Sequence, residues 1–337
     1  MNRDTLVEQL LRAFGAPSAS KQALRAYGLA SFCVEPGSSQ HRRIRLSHAL
    51  LRGAIAEVSR AFGDDPRFLL LKGEPLEKLL FGGKYLRATG DVDLLVLPGD
   101  LECARDRLQS IGYRPLSDEE PRMWVHNQQA FQHREHGVVV ELHWSVAEPG
   151  ISQPATWRLF ETRIPFEFSD GLTVEVLRPD WLFFQLVLHF HHHMGFAKGL
   201  LDIAGWCDRF GERFDTTQML DRARRLGMFG MVQWPLHAIE RLVDDRPSLW
   251  NGDVDCFVRC WAARSAKAMR NCLTRPPRSD LEASLVAIMP QVGPVPSVTL
   301  QALRMLTADG NSVDKVRAML VPILHGPHAV GRWVNRR

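Results

Sequence analysis

Gly90-Asp91-Val92-Asp93-Leu94-Leu95-Val96 is the stretch on which the reading of this chain turns. Side chains alternate along a β-strand, so Val92, Leu94 and Val96 make one apolar face while Asp91, Asp93 and Leu95 make the other. Two carboxylates that close together disfavour joint ionisation. A divalent cation between them removes the conflict, and Mg²⁺ commonly takes one or two carboxylates plus phosphate oxygens. The competing reading is plain: Asp-x-Asp is a common tripeptide, and the pair can simply flank a turn.

The flanking sequence favours a strand. Upstream, Phe68-Leu69-Leu70-Leu71 is a short apolar run stopped by Lys72-Gly73, the pattern of a buried strand. Glu74 to Phe81 reads as a helix with Leu76, Leu79 and Leu80 on one side, broken by Gly82-Gly83. Downstream, Pro98-Gly99-Asp100 closes the strand, and Asp100 to Ile111 is helical until Gly112. Strands are expected at 124–131 and from Val138 to Trp144, and a hairpin at 163–177 around Gly171. On the Val138 strand, Glu141 shares a face with Val139 and His143, opposite Val140, Leu142 and Trp144. An acid inside so apolar a strand is costly to bury unless paired or metal-bound. If this strand neighbours the Asp91 strand, three carboxylates converge, an arrangement able to hold two ions for phosphoryl chemistry. Alone, Glu141 reads equally as a rim residue or as the ion-pair partner of an arginine.

Helices flank this region on both sides. Leu6, Leu10 and Phe14, with Val7 and Leu11, form a stripe at helical spacing. Ile44, Leu51, Ile55, Val58 and Phe62 form a second, stopped by Asp64-Asp65-Pro66. From Pro179 the pattern is almost wholly helical, at about 180–194, 198–210, 216–227, 231–244, 254–272, 279–289 and 298–320. Proline clusters at Pro276-Pro277 and at Pro290, Pro294 and Pro296 read as helix connectors. The expected class is α+β with segregated helices. The expected division is a helical segment packing on the core at 1–65, an α/β core at 66–178 and a helical domain at 179–337.

Composition sets outer limits. The 337 residues are 45% hydrophobic and 24% charged with net charge +4, which excludes a disordered or fibrous chain. That length suggests two domains. The first residues do not read as a signal peptide, and no stretch approaches the roughly 20 apolar residues of a membrane span, so the expected setting is cytoplasmic. Cys33, Cys103, Cys207, Cys256, Cys260 and Cys272 are then expected to be reduced, with Cys256 and Cys260 packing rather than binding metal. No specific nucleic-acid signature is present.

Leu-Leu-Leu-Lys-Gly, then Arg-x-x-Gly-Asp-Val-Asp-Leu-Leu-Val, then Val-Glu-Leu-His-Trp resembles the bacterial nucleotidyltransferase-like family of the DNA polymerase β superfamily. The stretches Leu200-Leu201-Asp202-Ile203-Ala204 and Arg222 to Gly227 are similar to its helical half, and the likeness covers about residues 40 to 245. The resemblance implies a small mixed sheet flanked by helices, a C-terminal helical domain, and Mg²⁺- or Mn²⁺-dependent transfer from an NTP to a hydroxyl acceptor. That acceptor is left open between a small molecule, a peptide, a protein and an RNA. Asp91 and Asp93 match the paired metal ligands and Glu141 the third carboxylate. Gly73 matches the glycine at the strand–helix turn, where backbone N–H groups receive a triphosphate. The superfamily often has Ser next, whereas this chain has Glu74, whose charge opposes phosphate. Lys72, Lys84 and Arg87 can compensate, Arg87 through a bidentate fork, or are ordinary solvated surface. Gly83-Lys84-Tyr85 lacks the hydroxyl that a Walker loop requires.

Two other functions compete. One is a non-catalytic nucleotide-binding or scaffold protein with a degenerate site, which Glu74 favours. The other is a His/Asp metal-dependent phosphohydrolase built on His189, His191, His192 and His193 with Asp202, against the simpler reading of histidines that pack or are solvated. Asp202 itself is expected to cap, to pair with Arg209 or to face the cleft. His143, on the Glu141 face, is expected to support Glu141 or else to contact phosphate. Arg222, Arg224 and Arg225 form a basic face, solvated or facing an anionic acceptor.

Overall fold

The computed structural model describes residues 5–243 except 22, 23, 25–28, 64, 66, 118–122, 124, 125, 148–150 and 193–196, and beyond them residues 262, 263, 266 and 270. Almost all of the helix expected at 254–272, the helices at 279–289 and 298–320, the later proline clusters, Cys256, Cys260, Cys272, Asp64, Pro66, His193 and part of the 124–131 strand lie outside the described residues.

Seven strands form one mixed sheet in the order β3-β4-β5-β2-β1-β7-β6. They are β1 (Phe68–Leu70), β2 (Asp91–Val96), β3 (Tyr113–Pro115), β4 (Gln128–His133), β5 (Val139–His143), β6 (Ile164–Glu167) and β7 (Thr173–Val176). Among the described residues nine α-helices accompany them: α1 (Leu6–Ala13), α2 (Ser39–Phe62), α3 (Glu74–Phe81), α4 (Leu101–Ser110), α5 (Thr156–Glu161), α6 (Pro179–His192), α7 (Ala197–Phe210), α8 (Thr216–Arg225) and α9 (Phe229–Leu242). The protein is therefore α+β. Two elements escape the sequence pattern. β3 has three residues, ends in Pro115 and lies at the sheet edge, where proline is tolerated. α5 has six residues, too few for a periodic stripe.

The sheet separates two hydrophobic clusters. Val92, Leu94 and Val96 of β2 join Val140 and Leu142 of β5 under Leu51, Ile55 and Val58 of α2 and Leu101, Ala104 and Leu108 of α4. Each fully buried side chain of this kind contributes roughly 1.5–3 kcal/mol relative to exposure. On the opposite side Leu69 and Leu95 join α1, α3, α6, α7 and α9. α6 is apolar around most of its circumference because neighbours cover it; Asp180 in its first turn accepts from Arg222 at 2.7 Å.

Local chemistry sets the ends. α1 starts in a capping box between Thr5 and Glu8, and Asp208 of α7 accepts from the Leu6 and Val7 N–H groups at 3.0 and 3.3 Å. α3 opens at Gly73 with φ +85° and ψ −143°, a conformation open only to glycine, and closes at Gly82 in the left-handed region. α7 lies against α3 because position 205 is glycine: a Cβ there would stand 2.9 Å from the Phe81 ring. That close approach brings Lys198 and Asp202 toward the mouth of β2.

Candidate active site

β2 and β5 are parallel neighbours, in a register that sets Asp93 opposite Glu141, Asp91 opposite Val139 and Leu95 opposite His143. Paired residues share a face, so Asp91, Asp93, Glu141 and His143 emerge together, on the side away from α2 and α4. His143 Nε2 lies 3.2 Å from Asp93 Oδ1 and 3.6 Å from Glu141 Oε2. Lys72, the second residue after β1, places its Nζ 2.7 Å from the same Asp93 oxygen. It is held there because the Leu71 N–H donates to the Asp93 carbonyl at 3.0 Å.

Each acid sits in a different field. Asp93 is 1% exposed. Burial alone would push its carboxyl up, but the Lys72 and His143 charges and hydrogen bonds hold it well below the usual carboxylate range. Asp91 moves the other way: partial burial raises it, and repulsion from Asp93 adds to the rise. Burial disfavours the charged form of His143, yet its bonds to Asp93 and Glu141 outweigh that and raise it above an ordinary histidine. Glu141, its side chain 23% exposed, and the half-buried Asp91 are the reachable acids of the group.

The basic residues divide. Arg87 is 3% exposed, and its Nε donates to both Asp202 oxygens, at 2.9 and 3.1 Å. Burial opposes its charge, and Asp202 more than offsets that. The fork expected to face phosphate therefore faces a carboxylate, and Asp202 has Arg87 rather than Arg209 as its buried partner. Lys84 stays on the exposed outer side of its loop, with its carbonyl 3.3 Å from His41 Nε2. Lys198 is the cation that sequence reasoning missed. Its Nζ donates to the Ala88 carbonyl at 3.1 Å, and burial, then the neighbouring Arg87, bring its pKa down to about 8. The available signal was its place four residues before Asp202 on an expected helix.

Glu77 also went unseen. It is buried, and its carboxylate accepts from the Leu86 and Arg87 N–H groups at 3.1 and 2.8 Å. Burial pushes that carboxyl up against these bonds. The loop it holds contains Tyr85, which at φ +56° is the one non-glycine residue in the left-handed region among the described residues. Strain of that kind persists only where the surroundings over-determine the backbone. Here Glu77 clamps one side, while His48 bonds the Arg87 carbonyl at 3.0 Å and Ser47 the Thr89 carbonyl at 3.1 Å from the other. The clamp fixes the approach to Asp91.

Glu74 does not confront the site unpaired. Its Oε1 lies 3.7 Å from Arg52 of α2 and 3.8 Å from Lys78. Of the helical-half histidines, His191 has another role. His191 is buried against Trp234, bonds the Met231 carbonyl at 2.9 Å and is lowered to about 4 by burial. Arg222 lies over the Trp181 ring, and Arg224 over Phe229 and on Asp221.

Two groups of three among the described residues have ligand atoms within 4.8 Å of one another: Asp93, Glu141 and His143, and separately Glu57, His133 and His136. In the first, Asp93 Oδ2 and His143 Nδ1 are buried without a hydrogen-bond partner. A buried carboxylate oxygen left unpaired is costly, and oxygen donors suit Mg²⁺ or Mn²⁺, so this set fits a divalent ion. The second group is saturated. The His133 and His136 rings stack at 3.7 Å, only 5° from parallel. The Glu135 and Val138 N–H groups donate to their Nδ1 atoms, which leaves the proton on each Nε2. His133 gives that proton to the Ile111 carbonyl at 2.9 Å, and His136 to Glu57 at 3.4 Å.

A family model described as uncharacterised nucleotidyltransferase matches residues 37–244, more than half of the 337-residue chain. No curated protein matches the sequence significantly.

Proposed function

The chain belongs to the uncharacterised nucleotidyltransferase family, and from that premise we propose that it transfers a nucleoside monophosphate from an NTP to a hydroxyl acceptor. We place it in the DNA polymerase β superfamily, with the chemistry on residues 66–178 and the acceptor pocket shaped by the helical half. One observation carries the reading: the register that sets Asp93 opposite Glu141 beside Asp91, with a buried oxygen of Asp93 left without a partner. Asp91, Asp93 and Glu141 would hold the Mg²⁺ or Mn²⁺. Such an ion supplies Lewis-acid neutralisation of phosphate charge.

The residues divide the remaining work. Gly73 opens α3, and the dipole at that helix start favours phosphate oxygens. Lys72 and Lys198 add positive charge near Asp91. Arg87 is held rigid by Asp202 and acts on the phosphates through its field. The acceptor oxygen forms a bond to the α-phosphorus as the bond to the β-phosphate oxygen breaks, pyrophosphate leaves, and the hydroxyl proton passes to Glu141. Arg52 and Lys78 stand 3.7 and 3.8 Å from Glu74 Oε1, which has no hydrogen-bond partner among the described residues, and their charges offset the one that would favour a degenerate scaffold. Asp202 is committed to Arg87, which removes the carboxylate from a histidine-based hydrolase centre.

The test incubates the full chain with each α-labelled NTP, Mg²⁺ or Mn²⁺, and cell extract. Label is expected on an acceptor with one of the nucleotides, and Asp93→Asn is expected to lose it. No label from any NTP, or undiminished transfer by the variant, overturns the reading.

A further inference from the structure

Resting on the metal site of that reading, we propose that His143 is itself a metal ligand, making a carboxylate–carboxylate–imidazole set that selects Mn²⁺ or another first-row transition ion over Mg²⁺.

The spacing is that of one coordination shell. His143 Nε2 stands 3.2 Å from Asp93 Oδ1 and 3.6 Å from Glu141 Oε2. Adjacent ligands of a six-coordinate ion bound at about 2.1 Å lie about 3 Å apart, and opposite ones about 4.2 Å. A supporting hydrogen-bond role would satisfy Nε2 and leave Asp93 Oδ2 without a partner, as it stands. An ion among Asp93, Glu141 and Nε2 uses the free lone pairs of Asp93 Oδ2, while Oδ1 keeps its bond to Lys72. The imidazole proton then resides on Nδ1.

The fold gives the ring little freedom to withdraw. His143 ends β5 in register with Leu95 and is buried, two residues after Glu141 on the same face. A nitrogen donor at that place changes the preference of the site. Mg²⁺ favours all-oxygen shells, whereas affinity for imidazole rises along the first transition row from Mn²⁺ onward. Lys72, on the other side of Asp93, keeps the anionic pair compensated when no ion is bound.

The experiment titrates Mn²⁺ into the purified full chain and records pulsed electron paramagnetic resonance. Nitrogen hyperfine coupling is expected on bound Mn²⁺, altered when the protein carries isotopically labelled histidine. In His143→Gln the coupling is expected to vanish and Mn²⁺ binding to weaken about 10- to 100-fold, the range seen even for residues that only support metal ligands. Mg²⁺ binding is expected to change less. The labelled wild-type protein gives an answer even if the variant fails to fold. Bound Mn²⁺ that Asp93→Asn removes but that shows no nitrogen coupling overturns the ligand role of His143 and leaves the transferase reading standing. Coupling that persists in His143→Gln also overturns it. No Mn²⁺ or Mg²⁺ binding at all overturns both.

Discussion

Two clusters in this protein have nearly the same composition and opposite chemistry. Asp93, Glu141 and His143 lie on neighbouring parallel strands; Glu57, His133 and His136 join α2 to the end of β4 and the turn after it. Both bring carboxylate and imidazole atoms within 4.8 Å. In the second, every ring nitrogen already donates or accepts, and two stacked rings direct their nitrogens side by side rather than toward one point. In the first, lone pairs are buried and unanswered. Donor saturation, more than donor identity or spacing, separates a structural clip from a site able to take a ligand.

That contrast breaks or sharpens under substitution. The largest effect is expected from Asp93→Asn set against Glu57→Gln. Asp93→Asn should cut nucleotidyl transfer and divalent-ion binding by more than about 100-fold, beyond the cost of losing a supporting residue. Glu57→Gln should leave both unchanged when measured by calorimetry and label transfer; a loss of ion stoichiometry in that variant would erase the distinction.

Next comes Asp202→Asn, which strands the Arg87 charge in a buried setting. Removing one member of a buried pair costs about 3–5 kcal/mol, and urea unfolding of the variant should show a loss of that order. A change below about 1 kcal/mol would mean that water reaches Arg87.

A pH series probes the site side of the contrast. With its pKa lowered to about 8, Lys198 sheds its proton as pH rises through that value, and NTP affinity should fall with it. Lys198→Met should flatten the profile. The stability trend has the opposite sign. Between about 8 and about 10.4 the unfolded chain holds this proton and the fold does not, so this residue's contribution to stability rises with pH across that window. The smallest effect belongs to the clip: because Glu57 and His136 are each about one-third exposed, Glu57→Gln should shift stability by only about 0–1 kcal/mol in thermal melts.

Legibility followed locality. The alternation in Asp91 to Val96 and Val138 to Trp144, the stops at Gly73, Gly82 and Gly171, and the stripes of α1, α2 and α4 are short-range patterns, and the elements formed where those patterns stand. Glu77 went unseen because the N–H groups it accepts from, those of Leu86 and Arg87, lie beyond a turn that reverses the chain. Lys198 was missed, and Arg87 read as a phosphate fork or solvated surface, for the same reason.

From the sequence alone came the two-faced strands, the acidic character of one face and the mixed class of the fold, since each depends on residues within a few positions of one another. Only the tertiary structure decided that β5 is the parallel neighbour of β2, that Asp93 meets Glu141 and His143, and that Arg87 is spent on Asp202, 115 residues away. Backbone ladders are chemically alike along every strand, so which strands pair, and in what register, is chosen by how the whole set of apolar faces packs.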